Sequence, residues 1–146
     1  MKHKKLLRGA VGLIAVALLL LLCVGRWYHK PQNVYERNKD ILNAVTEQYL
    51  ENGNLEYPTI KGVLQVRAWN GDHPILEFMT SGFGIAPAGQ YRGFYYSVNG
   101  IPAAFQGADL KLELQDDGWW EWHGTGDNGG RTKQIEGNWY VFEAYF

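Results

Sequence analysis

The hydrophobic positions of this chain fall into three regimes: an unbroken apolar run, a stretch with helical spacing, and a long tail of short alternating segments. Gly9 to Gly25 (GAVGLIAVALLLLLCVG) is uncharged and Leu-rich and follows Lys2, Lys4, Lys5 and Arg8. Seventeen residues at the helical rise span about 25 Å, and adding Leu6 and Leu7 brings the run to the length of a hydrocarbon core. Trp27 and Tyr28 then fall where an interfacial aromatic belt would sit. The run predicts a transmembrane anchor. A cleaved signal peptide would need small residues at its end, but Cys23 and Gly25 precede Arg26, a poor cleavage site. Leu20-Leu21-Leu22 before Cys23 also argues against lipidation there.

In the second regime, Val34, Ile41, Leu42, Val45 and Tyr49 recur on one stripe, while Glu36, Arg37, Lys39, Asp40 and Glu47 fall mostly elsewhere. This predicts an amphipathic helix over Asn33 to Leu50, with Asn33 as N-cap, Glu36 in the capping-box position and Gly53 as the left-handed stop. From Tyr57 the period changes to two. Strands are expected near Val63 to Trp69, Ile75 to Thr80, Tyr91 to Val98, Ala108 to Leu114, Gly118 to His123 and Arg131 to Phe146, the last broken at Gly137-Asn138. Asn70-Gly71, Asp117-Gly118 and Asp127-Asn128-Gly129 are turn signals. Gly82 to Gly89 reads as a wide turn.

These elements imply an α+β fold: an N-terminal transmembrane helix, then one amphipathic helix packed on a roughly six-stranded antiparallel sheet, similar in plan to cystatins. The implied organisation is a tail and anchor over 1–26, a linker over 27–32 and a folded domain over 33–146. One helix cannot cover both faces of such a sheet. In Trp139 to Phe146 both alternating sets are apolar, as expected of a central strand covered by the helix on one side and by a loop or partner on the other.

Charge narrows the setting. Five of the fourteen basic residues lie in Met1 to Arg26, and none of the fifteen acidic ones does, which leaves the remainder nine against fifteen, or net −6. Such a domain has little reason to bind nucleic acid. Basic residues near the two ends of the apolar run number four and four, so their count does not orient it. The compact cluster at the start resembles a signal n-region and favours an extracytoplasmic domain at the cell membrane. The only cysteine lies in the apolar run, so the domain has no disulfide.

Candidate chemistry concentrates in Asp116 to Gly130 (DDGWWEWHGTGDNGG). Strand alternation puts Trp120 and Trp122 on one face and Trp119, Glu121 and His123 on the other. The second set makes an aromatic and polar surface able to stack a sugar ring or a peptide side chain, and is the candidate binding site. The opposing possibility is that all three tryptophans pack internally. Glu143, set among Trp139 and Tyr145, would be a general acid or base if buried, and a rim or tyrosine-bonded carboxylate otherwise. A hydrolase would need a second carboxylate, and Glu121 with Glu143 is the only arrangement to test. His73 and His123 are isolated and show no metal-ligand spacing, no cofactor motif is present, and no serine sits in a nucleophile elbow.

The segments GFGIAPAGQYRGFYYS, IPAAFQGADLKLELQDDGWWEW and GDNGGRTKQIEGNWYVFEAYF, within Gly82 to Phe146, resemble a group of small uncharacterised bacterial proteins with an N-terminal hydrophobic segment. The resemblance implies a bacterial origin and a membrane setting, and no activity. The expectation is therefore a single-pass, extracytoplasmic binding or interaction module. Its partners would be the bilayer through Gly9 to Gly25 and a protein or cell-wall glycan. The alternatives are a cell-surface hydrolase and a subunit of a membrane complex.

Overall fold

The computed structural model describes residues 30–85 and 88–146. The expected anchor over Gly9 to Gly25 lies outside the described residues; among those described, no helix is long and apolar enough to cross a membrane. Helix α1 spans Pro31–Asn52. It starts two residues before the expected Asn33 because Pro31 occupies the first helical position, where its fixed φ suits the helix and its missing N–H costs nothing. Lys30, in extended conformation, is therefore the N-cap, and it makes no side-chain cap. Gly53 ends the helix as expected, with φ of 70° and its N–H donated to Tyr49 O at 2.8 Å.

Seven strands follow: β1 (Gln65–Trp69), β2 (Ile75–Ile85), β3 (Ala88–Ser97), β4 (Glu113–Leu114), β5 (Trp120–His123), β6 (Gly129–Glu136) and β7 (Trp139–Tyr145). They form one antiparallel sheet in the order β1-β2-β3-β7-β6-β5-β4. The chain is α+β, with one helix on this sheet. The count exceeds six because the expected Arg131 to Phe146 strand folds back at Gly137-Asn138 into the β6–β7 hairpin. The glycine-rich 82–89 stretch is not a wide turn either. β2 and β3 continue through it, after a register shift between Met79 and Ser81, to pair Ile85 with Ala88. In the β5–β6 connection Gly126, not Gly129, takes positive φ; Gly129 and Gly130 lie in β6, where a Cβ on Gly130 would stand 2.6 Å from the Trp122 ring.

The two sheet faces follow from alternation. Val66, Leu76, Phe78, Phe94 and Trp139 meet Val34, Tyr35, Leu42 and Val45 of α1 in one core. Tyr35 is fully buried, edge-on to Phe94 at 5.7 Å, with its hydroxyl hydrogen-bonded to Glu136, which also pairs with Lys39. The opposite face carries Ile75, Tyr95, Tyr140, Phe142, Ala144 and Trp122, all buried. Its cover is the β3–β4 connection. Because β7 has taken the place beside β3, the chain leaving β3 has to cross the sheet to reach the far edge at β4. It does so over this face, laying down Ala103, Ala104 and the 3-10 turn Phe105–Gly107. That crossing shortens the expected Ala108 to Leu114 strand to two residues, since Leu110 and Leu112 pack beside Trp122 instead of extending the ladder.

Tyr95 fastens the crossing. Its hydroxyl accepts the Ala103 N–H at 2.8 Å and lies 2.8 Å from Thr132 Oγ1 and 3.1 Å from Ala103 O. The Thr132 proton goes to Val141 O, so the single Tyr95 proton is left for Thr132 Oγ1 or Ala103 O. Burial pushes the Tyr95 phenol up, ahead of the opposing pull of these bonds. Tyr95→Phe keeps the ring stacked on Tyr140 at 5.2 Å but orphans a buried amide. The expected cost is about 2 kcal/mol of stability in urea unfolding, with earlier amide exchange over Ala103 to Gly107 than in the sheet.

Candidate functional site

On the helix side, α1 packs over β2, β3 and β7, and β5 lies beyond it. The register places a cross-strand row on the uncovered part of that face: Glu113, Glu121, Arg131, Glu143 and Arg92 stand opposite one another on β4, β5, β6, β7 and β3. Arg131 donates from Nε at 2.9 Å and Nη2 at 2.7 Å to Glu143 Oε2, and Arg92 Nε lies 3.4 Å from Oε1. The Arg131 guanidinium also sits over the Trp119 ring, 4.4 Å from its centroid, a cation–π geometry. Trp119, Glu143 and Arg92 then line a cleft of about 480 Å³ against Lys30, Pro31 and Gln32 at the start of α1.

The expected binding residues therefore share a face without converging. Trp119 reaches the cleft, Glu121 is half-buried in the charged row, and His123 is exposed at the end of β5 opposite Gly129. Successive same-face residues are about 7 Å apart along a strand, so the three form a strip. Trp122 is packed under Phe146 at 6.2 Å and belongs to the core. Glu143 lies on the central strand β7 with both oxygens on guanidinium groups, and the Arg131 strand stands between it and Glu121. The guanidinium of Arg131 thus stands between the two carboxylates of the expected pair, and it binds one of them. Among the described residues no group of three His, Cys, Asp or Glu could hold a metal.

The opposite face holds a residue the sequence reading passed over. Glu77, in the middle of β2, is 4% exposed and faces away from α1, with Arg67 of β1 directly opposite on one side and Tyr95 of β3 on the other. Burial pushes its carboxyl up to about 7. The Gln106 backbone amide, the Trp69 indole and Arg67 pull the other way without overcoming it. Oε2 and Trp69 Nε1 are both fully buried and have no other partner, so the indole lying against the carboxyl is what each of them faces. Gln106 adopts the left-handed conformation (φ 61°), the only non-glycine among the described residues with positive φ. Such backbone costs of order 1 kcal/mol and gathers at functional sites. Glu77 and Gln106 line a pocket of about 400 Å³ together with Arg67, Tyr91, Phe105 and Phe146. The available signal was a carboxylate inside Ile75-Leu-Glu-Phe-Met79, a run otherwise apolar on both faces.

No family model, curated protein or solved structure matches this chain. The geometry alone carries the functional reading.

A raised carboxyl pKa is a stability cost at neutral pH. Below the ordinary value of 4.5 Glu77 is protonated whether folded or unfolded; between 4.5 and about 7 only the unfolded chain releases the proton; above 7 the folded chain must ionise a buried group. Its contribution thus favours the folded state at low pH and is lost as pH rises through 7, a difference of about 3 kcal/mol. Glu77→Gln should remove that slope. Urea unfolding at pH 4.5 and pH 8 should give a variant similar to the parent at the lower pH and more stable at the higher.

Proposed function

We propose that the chain is a membrane-tethered, extracytoplasmic binding module that holds a cell-wall glycan close to the bilayer. One observation carries this reading: the binding features and the chain entry gather at the same end of the same face. The cleft under Trp119 is closed by Lys30 to Gln32, and Lys30 follows Gly25, the end of the apolar run, by five positions. One rank further along the strands, Phe83 (86% exposed), Gln90 and Tyr145 stand opposite one another and line a broad groove of about 850 Å³ with Phe146.

Aromatic faces next to Arg92, Arg131 and Glu143 supply what sugar rings need: a flat apolar surface for the C–H face and charged donors and acceptors for the hydroxyls. An elongated strip suits a polymer better than a single small molecule, and it fits the strip-like layout of Trp119, Glu121 and His123. The net charge of −6 on the domain makes an anionic polymer the wrong partner. The N-terminal transmembrane helix and the cystatin-like plan belong to this proposal; the plan implies nothing about activity.

Full-length protein in lipid nanodiscs, pulled down with purified cell-wall glycan, should be retained. Trp119→Ala together with Phe83→Ser should weaken retention by about tenfold, the scale of losing one or two stacking contacts. Retention unchanged in that variant would reject the surface. A role as a membrane-complex subunit would instead leave the variant competent and make association depend on the order of residues in Gly9 to Gly25, which a scrambled run of equal hydrophobicity tests.

A further inference from the structure

The Glu77 pocket lies on the face opposite the proposed glycan strip, and its lining is divided by chemistry. At one end the register sets Arg67 across from Glu77, with Gln65 one same-face position along β1. Arg67 does not neutralise Glu77: its guanidinium lies over Trp69, 5.9 Å from the ring centroid, and the two make no ion pair. The pocket is therefore lined by a carboxyl and by a guanidinium that makes no ion pair with it. Opposite charges held apart on one wall match a ligand that carries both signs. At the other end Tyr91 and Phe105 are stacked at 5.3 Å, Phe105 meets Phe146 at 5.5 Å, and Tyr91 meets Phe146 edge-on at 5.9 Å. This is an apolar wall in the same pocket, beyond Met79.

We infer that this pocket binds a free zwitterionic amino acid with an apolar or aromatic side chain. The ammonium would take the pocket-lining side of the Glu77 carboxyl, the carboxylate would take Arg67 and Gln65, and the side chain would lie on the Tyr91–Phe105–Phe146 wall. A volume of about 400 Å³ falls in the range of small-molecule sites and is of the right order for one such ligand. Several features that are costs without a ligand are accounted for by this assignment. Glu77 is buried with Arg67 directly across from it and no ion pair formed, and Gln106 is held in a left-handed conformation that brings its backbone to the carboxyl.

The three parts of the site can be separated by ligand. Titration calorimetry of the full-length protein in nanodiscs should show saturable binding of L-phenylalanine. Phenethylamine, which lacks the carboxylate, and 3-phenylpropanoate, which lacks the ammonium, should each bind at least about tenfold more weakly. Glu77→Gln should cost phenylalanine about tenfold and leave 3-phenylpropanoate unchanged. Arg67→Gln, at an exposed position where folding is not at risk, should do the reverse, weakening phenylalanine and leaving phenethylamine unchanged. Absence of saturable phenylalanine binding would overturn the assignment. So would equal binding of phenethylamine and phenylalanine, which would mean a simple cation site, or variants that affect all three probes alike. Phe146 borders both the glycan groove and this pocket, but neither substitution touches it; glycan retention is expected to be unaffected by either, so the two proposals stand or fall separately.

Discussion

Placement of β7 between β3 and β6 governs the rest of the molecule. With β3 already flanked by β2 and β7, the chain that leaves β3 has no adjacent edge to occupy and must travel to the far side of the sheet before it can pair again. Its only route that avoids α1 is across the opposite face. The crossing supplies there what a second helix supplies in a layered α/β protein, an apolar cover for Tyr95, Tyr140 and Phe142. It lacks a helix's internal hydrogen bonds, so its amides have to be satisfied from the sheet. The Tyr95 hydroxyl does this for Ala103. The Glu77 carboxyl is placed to do it for Gln106, and the Glu77 pocket is the space left where that cover does not fully close.

The two faces of the sheet are packed differently. The helix-side core is dry and aromatic from Tyr35 to Trp139, and beyond the start of α1 it gives way to alternating charges on neighbouring strands. There Glu143 between Arg92 and Arg131 acts as a fixed strut. The bidentate contact orients the Arg131 guanidinium, and the guanidinium in turn occupies one side of Trp119. Together Glu143, Arg92 and Arg131 frame the Trp119 ring.

Much of this was legible in the amino-acid order. The apolar stripe through Val34, Leu42 and Val45, the Gly53 stop and the antiparallel character of the strands after Tyr57 follow from local periodicity, and the structure has all of them; the expected two-sided burial of Trp139 to Phe146 holds only as far as Ala144, since Tyr145 and Phe146 are exposed. The division of Trp119, Glu121 and His123 from Trp120 and Trp122 follows from the same rule. What local pattern does not encode is where strands lie relative to one another. Ala108 to Leu114 alternates like a strand, yet most of it is cover, because alternation reports one wet and one dry side and not the presence of a pairing partner. The glycines of 82–89 and 129–130 read as turns, although several are strand positions overlain by neighbouring rings or backbone. Glu77 was invisible for the same reason: its meaning comes from Arg67, Trp69 and Gln106, which are brought to it only by the register and by the crossing.

The central position of β7 also sets the order of assembly. β1 to β3 can zip as a meander soon after they are made, and β4 to β6 can form a second one, but each is left with an open edge of unpaired amides and carbonyls. Both edges are closed by the same strand, and that strand is the last to leave the ribosome of all those in the sheet. The pairings of β3 with β7 span long stretches of chain, and such contacts form late and slowly. During synthesis the two halves are thus adhesive surfaces without a match until Trp139 to Tyr145 arrives. A single seven-residue strand converts two aggregation-prone meanders into one sheet.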